Sequence, residues 1–65
     1  MFIVEEEADG GLTARAAGPA IFTQADNLDD LRRNIREAVV CHFDKPEDRP
    51  RVLRLHFTRD EVLAL

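Results

Sequence analysis

The stretch over residues 27–43 constrains the fold more than any other part of the chain. Wound as a helix at 100° per residue, it gathers its apolar side chains and one histidine on a single face. That face contains Leu28, Leu31, Ile35, Ala38, Val39, His42 and Phe43. Asn27 stands three residues before Asp30, which is typical of a helix N-terminus with a capping side chain. We therefore predict one amphipathic helix over residues 27–43.

The segments around this helix alternate apolar and polar residues with period two, which predicts β-strands. We expect three strands before the helix and one after it, over residues 2–7, 12–16, 20–24 and 51–58. Asp9, Gly10 and Gly11 predict a tight hairpin, because glycine tolerates the positive φ that such a turn requires. Residues 44–50 lack apolar side chains and predict a mobile surface loop. The apolar tail, residues 59–65, is expected to form a short fifth strand that pairs with another subunit.

This element order, β-β-β-α-β, predicts an α+β fold with two layers. An antiparallel three-stranded meander and a returning strand form the sheet, and the single helix covers one of its faces. Arg15, Arg54 and His56 then lie on the other face, either as a docking surface for a partner or as ordinary solvated strand residues.

A chain of 65 residues forms one small domain, residues 1–65, with a limited core. A single core of this size rarely supplies more than about 3–5 kcal/mol. Cys41 is the only cysteine, so no internal disulfide and no cysteine-based zinc site can add stability. We therefore expect a homo-oligomer, a dimer or a higher assembly. Val40 and Cys41 on the helix, with Val62 and Leu63 in the tail, are the candidate subunit contacts.

Charge and hydropathy indicate the class of partner and the compartment. Asp and Glu outnumber Lys and Arg by 13 to 9, and the net charge is −4. Nucleic-acid binding requires a basic surface, so a basic protein is the better partner and direct nucleic-acid binding is not expected. The chain has no apolar stretch long enough for a membrane span, and its apolar start is followed by acids rather than preceded by bases. We expect a cytoplasmic protein that does not contact membranes.

No group of residues in the sequence predicts catalysis, a metal site or a cofactor. Cys41 and His42 are adjacent on the helix and point about 100° apart, which is poor geometry for a nucleophile and its base. We interpret Cys41 as inert and His42 as a packed ring that binds the last helical carbonyls. Glu5 and Glu7 share a strand face and could hold magnesium, but converging acids from other elements are missing. Gly10 and Gly11 lack the context of a phosphate-binding loop.

The hairpin and helix together resemble the HicB antitoxin family. The family pattern has an Asp-Gly-Gly turn, a proline-containing segment and a helix that begins after a polar stretch. The matching residues are Asp9, Gly10, Gly11, Leu12, Ala14, Pro19, Thr23, Asp26, Asn27, Leu28, Asp30, Leu31, Asn34, Glu37 and Ala38. The resemblance covers most of residues 2–43, and residues 51–58 match the returning strand less specifically.

This resemblance implies a degenerate ribonuclease H-like fold without enzymatic activity. It also implies self-association and a partner, a small basic ribonuclease toxin of the HicA type that the antitoxin neutralises. Family members usually carry a carboxy-terminal DNA-binding segment, and no such segment is expected in a chain that stops at Leu65.

Two alternatives stay open. One is an oligomeric small-ligand-binding or accessory-subunit domain, based on the cluster of Val40, Cys41 and His42. The other is a magnesium-dependent nuclease that uses Glu5 and Glu7.

Overall fold

Four strands and one helix form two layers in the computed structural model, which describes residues 1–65. The elements are β1 (Phe2–Glu6), β2 (Leu12–Ala16), β3 (Phe22–Ala25), α1 (Leu28–His42) and β4 (Leu55–Thr58), with a 3-10 turn over Pro46–Asp48. The strand order in the sheet is β3-β2-β1-β4. The first three strands form an antiparallel meander, and β4 returns to pair parallel with β1. The predicted α+β fold is therefore confirmed.

The β1–β2 hairpin closes through the predicted turn. Gly10 has a φ of +92°, a conformation that residues with a Cβ rarely adopt. The Asp9 carboxylate accepts a hydrogen bond from the Gly11 amide at 3.0 Å, and the Gly10 amide donates to the Glu7 carbonyl at 3.0 Å. The side chain of Asp9 and the freedom of Gly10 together allow the chain to reverse direction here.

The N-terminus of α1 is capped as the sequence predicts. The Asn27 side-chain oxygen accepts a hydrogen bond from the Asp30 amide at 2.8 Å, and its amide group donates to the Asp30 carboxylate at 3.0 Å. One of the unsatisfied amides at the start of the helix is thereby paired. Asp29 and Asp30 lie in the first turn, where negative charge is favourable.

The hydrophobic core is a single cluster between α1 and the sheet. Its fully buried members are Phe2, Val4, Ala14, Ile21, Leu31, Ile35 and Val39. Leu31 and Ile35 are at most 1% exposed, and each buried side chain of this kind contributes about 1.5–3 kcal/mol. Ala14 on β2 has no exposed surface, and its small side chain lets the helix approach the sheet closely.

Some boundaries differ from the sequence predictions. β3 begins at Phe22 rather than at residue 20, because Ile21 still belongs to a turn in which its amide donates to the Pro19 carbonyl. β4 covers only the second half of the predicted strand over residues 51–58. The predicted fifth strand is absent from the single chain, since residues 59–65 form no secondary structure and find no partner strand there.

The prediction that His42 belongs to the buried face of α1 is wrong. The side chain is exposed. Its ring stacks edge-to-face on Phe43, with centroids 4.8 Å apart. Val39 and Phe43 complete the apolar face at the last turn and leave the polar imidazole on the solvent side.

The chain exposes more surface than a compact monomer of its size. Its accessible surface is 5368 Å², whereas a compact protein of 7.4 kDa exposes about 4,200 Å². Its radius of gyration is 13.4 Å, against about 10.7 Å for a compact domain of this length. Only seven of the 65 residues are buried.

No helix combines the length and the apolar composition that crossing a membrane requires.

We predict that Ile35→Ala lowers the free energy of unfolding by about 2–5 kcal/mol, because it leaves a cavity under α1. Chemical denaturation followed by circular dichroism measures the change. Ile35→Val, expected to cost about 0.5–1.5 kcal/mol, keeps the test quantitative if the alanine variant does not fold. Glu37→Ala, on the exposed side of the same helix, is the control and should change stability by no more than about 0.5 kcal/mol.

Candidate protein-binding surfaces

The uncovered side of the sheet, which we call the outer face, brings the predicted partner-binding residues together. Ile3 on β1 pairs in register with Arg15 on β2 and with His56 on β4, so these three residues form one row. Arg54 lies two residues before His56 and therefore points to the same side. Phe22 pairs with Arg15, extends the row at the β3 edge and is 64% exposed. The outer face thus mixes cationic and apolar groups, a composition that suits protein contacts.

A second surface, the acidic end, lies where β1 finishes and α1 begins. It consists of Glu5, Glu6, Glu7, Asp9, Asp26 and Asp30. Four of these acids line one depression together with Thr13, whose hydroxyl donates to the Glu7 carboxylate at 3.3 Å. Asp30 on α1 lies beside the acids of the hairpin because α1 starts next to this turn. No group of three or more acids, histidines or cysteines is placed to hold a metal ion.

A third surface, the arginine groove, lies between α1 and the segment that leads into β4. Its volume is about 510 Å³. Its walls carry Arg32, Arg36, Arg49 and Arg51, and its remaining lining is Ile35, Val39, Val40, Pro50, Leu53 and Leu55. Local sequence patterns did not predict this groove, because its arginines come from two segments that approach each other only in the folded chain. The alternation of arginine and apolar residues in both segments is the signal that could have indicated it.

Arg49, rather than His42, binds the carbonyls at the end of α1. Its guanidinium donates to the carbonyl of Phe43 at 2.9 Å and, through longer contacts of 3.4 Å, to those of Val40 and Asp44. These carbonyls lie at the end of α1, where no following turn of helix supplies backbone amides to donate to them. The predicted loop over residues 44–50 is therefore anchored to the helix C-terminus by its own arginine.

The other candidate residues are exposed but are not gathered at one site. Val40 is 49% exposed and lines the arginine groove, whereas Cys41 and His42 are exposed and do not line it. In the single chain these three neighbours do not line one common groove, and a ligand site at a subunit interface stays a prediction. Val62 and Leu63 in the tail are 97% and 82% exposed. Their role as subunit contacts stays a prediction.

The fold and these surfaces define a class of protein. It is a small α+β protein with one helix on a four-stranded mixed sheet. Its surface carries the outer face, the acidic end and the arginine groove, together with exposed large apolar side chains. The chain is 50% identical over 52 residues to a "UPF0150 protein" of Archaeoglobus fulgidus. The aligned region makes up 80% of this chain and 76% of that protein. It is 37% identical over 65 residues to a "UPF0150 protein" of Thermotoga maritima. The aligned region makes up 100% of this chain and 90% of that protein.

The chain belongs to the UPF0150 family. No family model matches it. No solved structure matches it either. The likeness to HicB antitoxins therefore remains a resemblance carried by the residues of the hairpin and the helix.

We predict that Arg49→Ala lowers the free energy of unfolding by about 1–2 kcal/mol, because it leaves the last helical carbonyls without their charged donor. Thermal and chemical denaturation measure this loss. Arg51→Ala is the matched control, since Arg51 is exposed and has no ion pair, and it should change stability by no more than about 0.5 kcal/mol. Equal losses in both variants would contradict the capping role.

Proposed function

We propose that the protein is a non-enzymatic protein-binding module, similar to the HicB antitoxins, that binds and neutralises a small basic protein of the HicA toxin type. The observation that carries this proposal is the acidic end. Six acids from β1, the hairpin and the region where α1 starts lie there, around two depressions that share Glu7. A basic partner is attracted to such a surface and is oriented by it.

The distribution of charge supports a partner that binds at one end of the molecule. The acidic end lies at the N-terminus of α1, whereas Arg49 and Arg51 lie beyond its C-terminus. The helix has 15 residues and separates the two regions by about 22 Å. At physiological salt this separation exceeds the Debye length of about 8 Å, so Arg49 and Arg51 do not neutralise the acids. Two arginines lie closer: Arg33 pairs with Asp30 at 3.1 Å, and Arg59 lines the depression beside Glu5–Glu7. The six acids of the acidic end outnumber these two arginines.

Exposed apolar area supports self-association as part of the same proposal. The large apolar side chains that remain exposed are Met1, Phe22, Val40, Val52, Phe57, Val62, Leu63 and Leu65. The surface in excess of a compact monomer is roughly 1,200 Å², and a stable interface buries about 800 Å² on each partner. One interface of that size would cover about two thirds of this excess.

The alternative function, an oligomeric small-ligand-binding or accessory-subunit domain, is less well supported. Only Val40 of its three proposed residues lines a groove. That groove is open, and the arginines on its walls favour an anionic partner rather than an uncharged metabolite.

We predict that the protein forms a stable complex with the product of the adjacent gene, and that this product is small and basic. Co-expression with a tag on one protein, followed by purification and mass determination, tests this. Glu6→Lys combined with Asp26→Lys should weaken the complex by about tenfold or more, because like charges then face the partner. Increasing salt should weaken the wild-type complex in parallel.

The matched control reverses two acids elsewhere, Glu47→Lys with Asp48→Lys. These residues lie in the exposed turn beyond the C-terminus of α1, so the net charge changes equally while the acidic end is intact. Equal weakening by both pairs would show that only net charge matters and would contradict a defined acidic site. If the adjacent gene encodes no small basic protein and no complex forms, the antitoxin proposal fails and the fold stands.

We predict a dimer or a higher oligomer at micromolar concentration. Sedimentation velocity and light scattering give the mass directly. The expected result is a mass of at least twice 7.4 kDa. A monomer across the micromolar range would remove self-association from the proposal without affecting the binding of a basic partner.

A further inference from the structure

The last seven residues of the chain, 59–65, form an arm beyond β4 whose apolar side chains do not pack against the core of the single chain. They have no secondary structure. The apolar residues Val62, Leu63 and Leu65 are almost fully exposed. They follow two acids, Asp60 and Glu61. Extended, the arm spans about 23 Å, which agrees with a molecule that measures 52 Å along one axis and only 20 and 17 Å along the others. An exposed apolar segment of this kind is a candidate for docking elsewhere.

The arginine groove has the chemistry that this arm needs. Arg36 and Arg51 on its walls take part in no ion pair. Its lining includes Val40, which is 49% exposed, and the half-buried Leu53 and Leu55. An occupant with acids followed by apolar residues would pair the free guanidinium groups and cover this lining.

The arm leads away from the groove of its own chain. β4 runs from the groove, at Leu55, to Thr58 beside the acidic end. Phe57 lies on the same side of β4 as Leu55 and is 53% exposed, so apolar surface continues along the strand. Arg59 and Asp60 start beside Glu5–Glu7, at the opposite end of β4 from the groove.

The free edge of β4 gives the arm a route to the groove of a second copy. β4 is the last strand of the sheet, and its outer edge has no partner. A two-fold axis at this edge pairs the β4 strands of two copies antiparallel. Each arm, continuing beyond Thr58, then runs alongside the segment that precedes the other β4, past Leu53 towards the groove. An unpaired edge strand is a common site for such strand addition.

We propose that the arginine groove of each copy binds the arm of a second copy, which adds to the free edge of β4. Asp60 and Glu61 pair with the groove arginines, and Val62, Leu63 and Leu65 cover the apolar lining. This inference rests on the self-association proposed above and specifies its interface. The roughly 1,200 Å² of excess surface on each chain is enough for such an exchange.

A charge-reversal cycle in the full chain tests the interface. Arg36→Glu alone and Glu61→Arg alone should each raise the dimer dissociation constant about tenfold or more, because like charges then meet in the groove. The double variant should return it to within about threefold of the wild-type value. The matched control is Arg33→Glu, on the exposed side of the same helix. It should leave the dissociation constant unchanged and should not restore the Glu61→Arg variant.

A second pair of variants tests the apolar part of the interface. Leu63→Ser should weaken the dimer about tenfold or more, and Phe22→Ser, on the outer face, should not. Circular dichroism and unfolding curves establish that each variant is folded. The proposal is overturned if the dimer is insensitive to Arg36, Glu61 and Leu63, if the double variant is not restored, or if Phe22→Ser alone dissociates it. A monomeric wild-type protein also overturns it, whereas binding of the basic partner is measured separately at the acidic end.

Discussion

The packing of one helical face on the sheet holds this protein together. Leu31, Ile35 and Val39 cover Phe2 and Val4 on the central strand β1, and almost no other side chains are fully buried. β1 depends on this cover because it pairs with both β2 and β4 and carries its apolar residues towards α1. A core this small leaves little stability in reserve, so each of these contacts accounts for a large share of it.

The position of the helix also separates the charges of the molecule. The chain leaves β3, forms α1 and returns as β4 beside β1. This path places the N-terminus of the helix beside the acids of the hairpin and its C-terminus beside Arg49 and the groove. Negative charge near the start of a helix and positive charge near its end are both favourable. The same arrangement that stabilises the helix creates two surfaces of opposite charge, one suited to a basic partner and one to an acidic segment.

Sequence patterns predicted the elements whose stability is local. The helix, its Asn27 cap and the Asp9–Gly10 turn follow from side chains within three or four residues of one another. Patterns failed where distant partners decide. The N-terminal half of the predicted last strand finds no ladder on β1, and Arg49 displaces His42 as the group that caps α1. The outer face could be predicted from alternation alone, but the arginine groove could not, because two distant segments form it.

The order of apolar and polar residues by itself determined that the chain has one amphipathic helix and short strands, since periodicity depends only on backbone geometry. The composition determined the acidic balance, and the length of 65 residues determined that the core is small. Only the tertiary structure decided that β4 lies at a free edge, that Arg36 and Arg51 line the same groove, and that the apolar residues of the segment 59–65 remain exposed. These features depend on which segments meet in space, and that depends on how the helix packs on the sheet rather than on any local pattern.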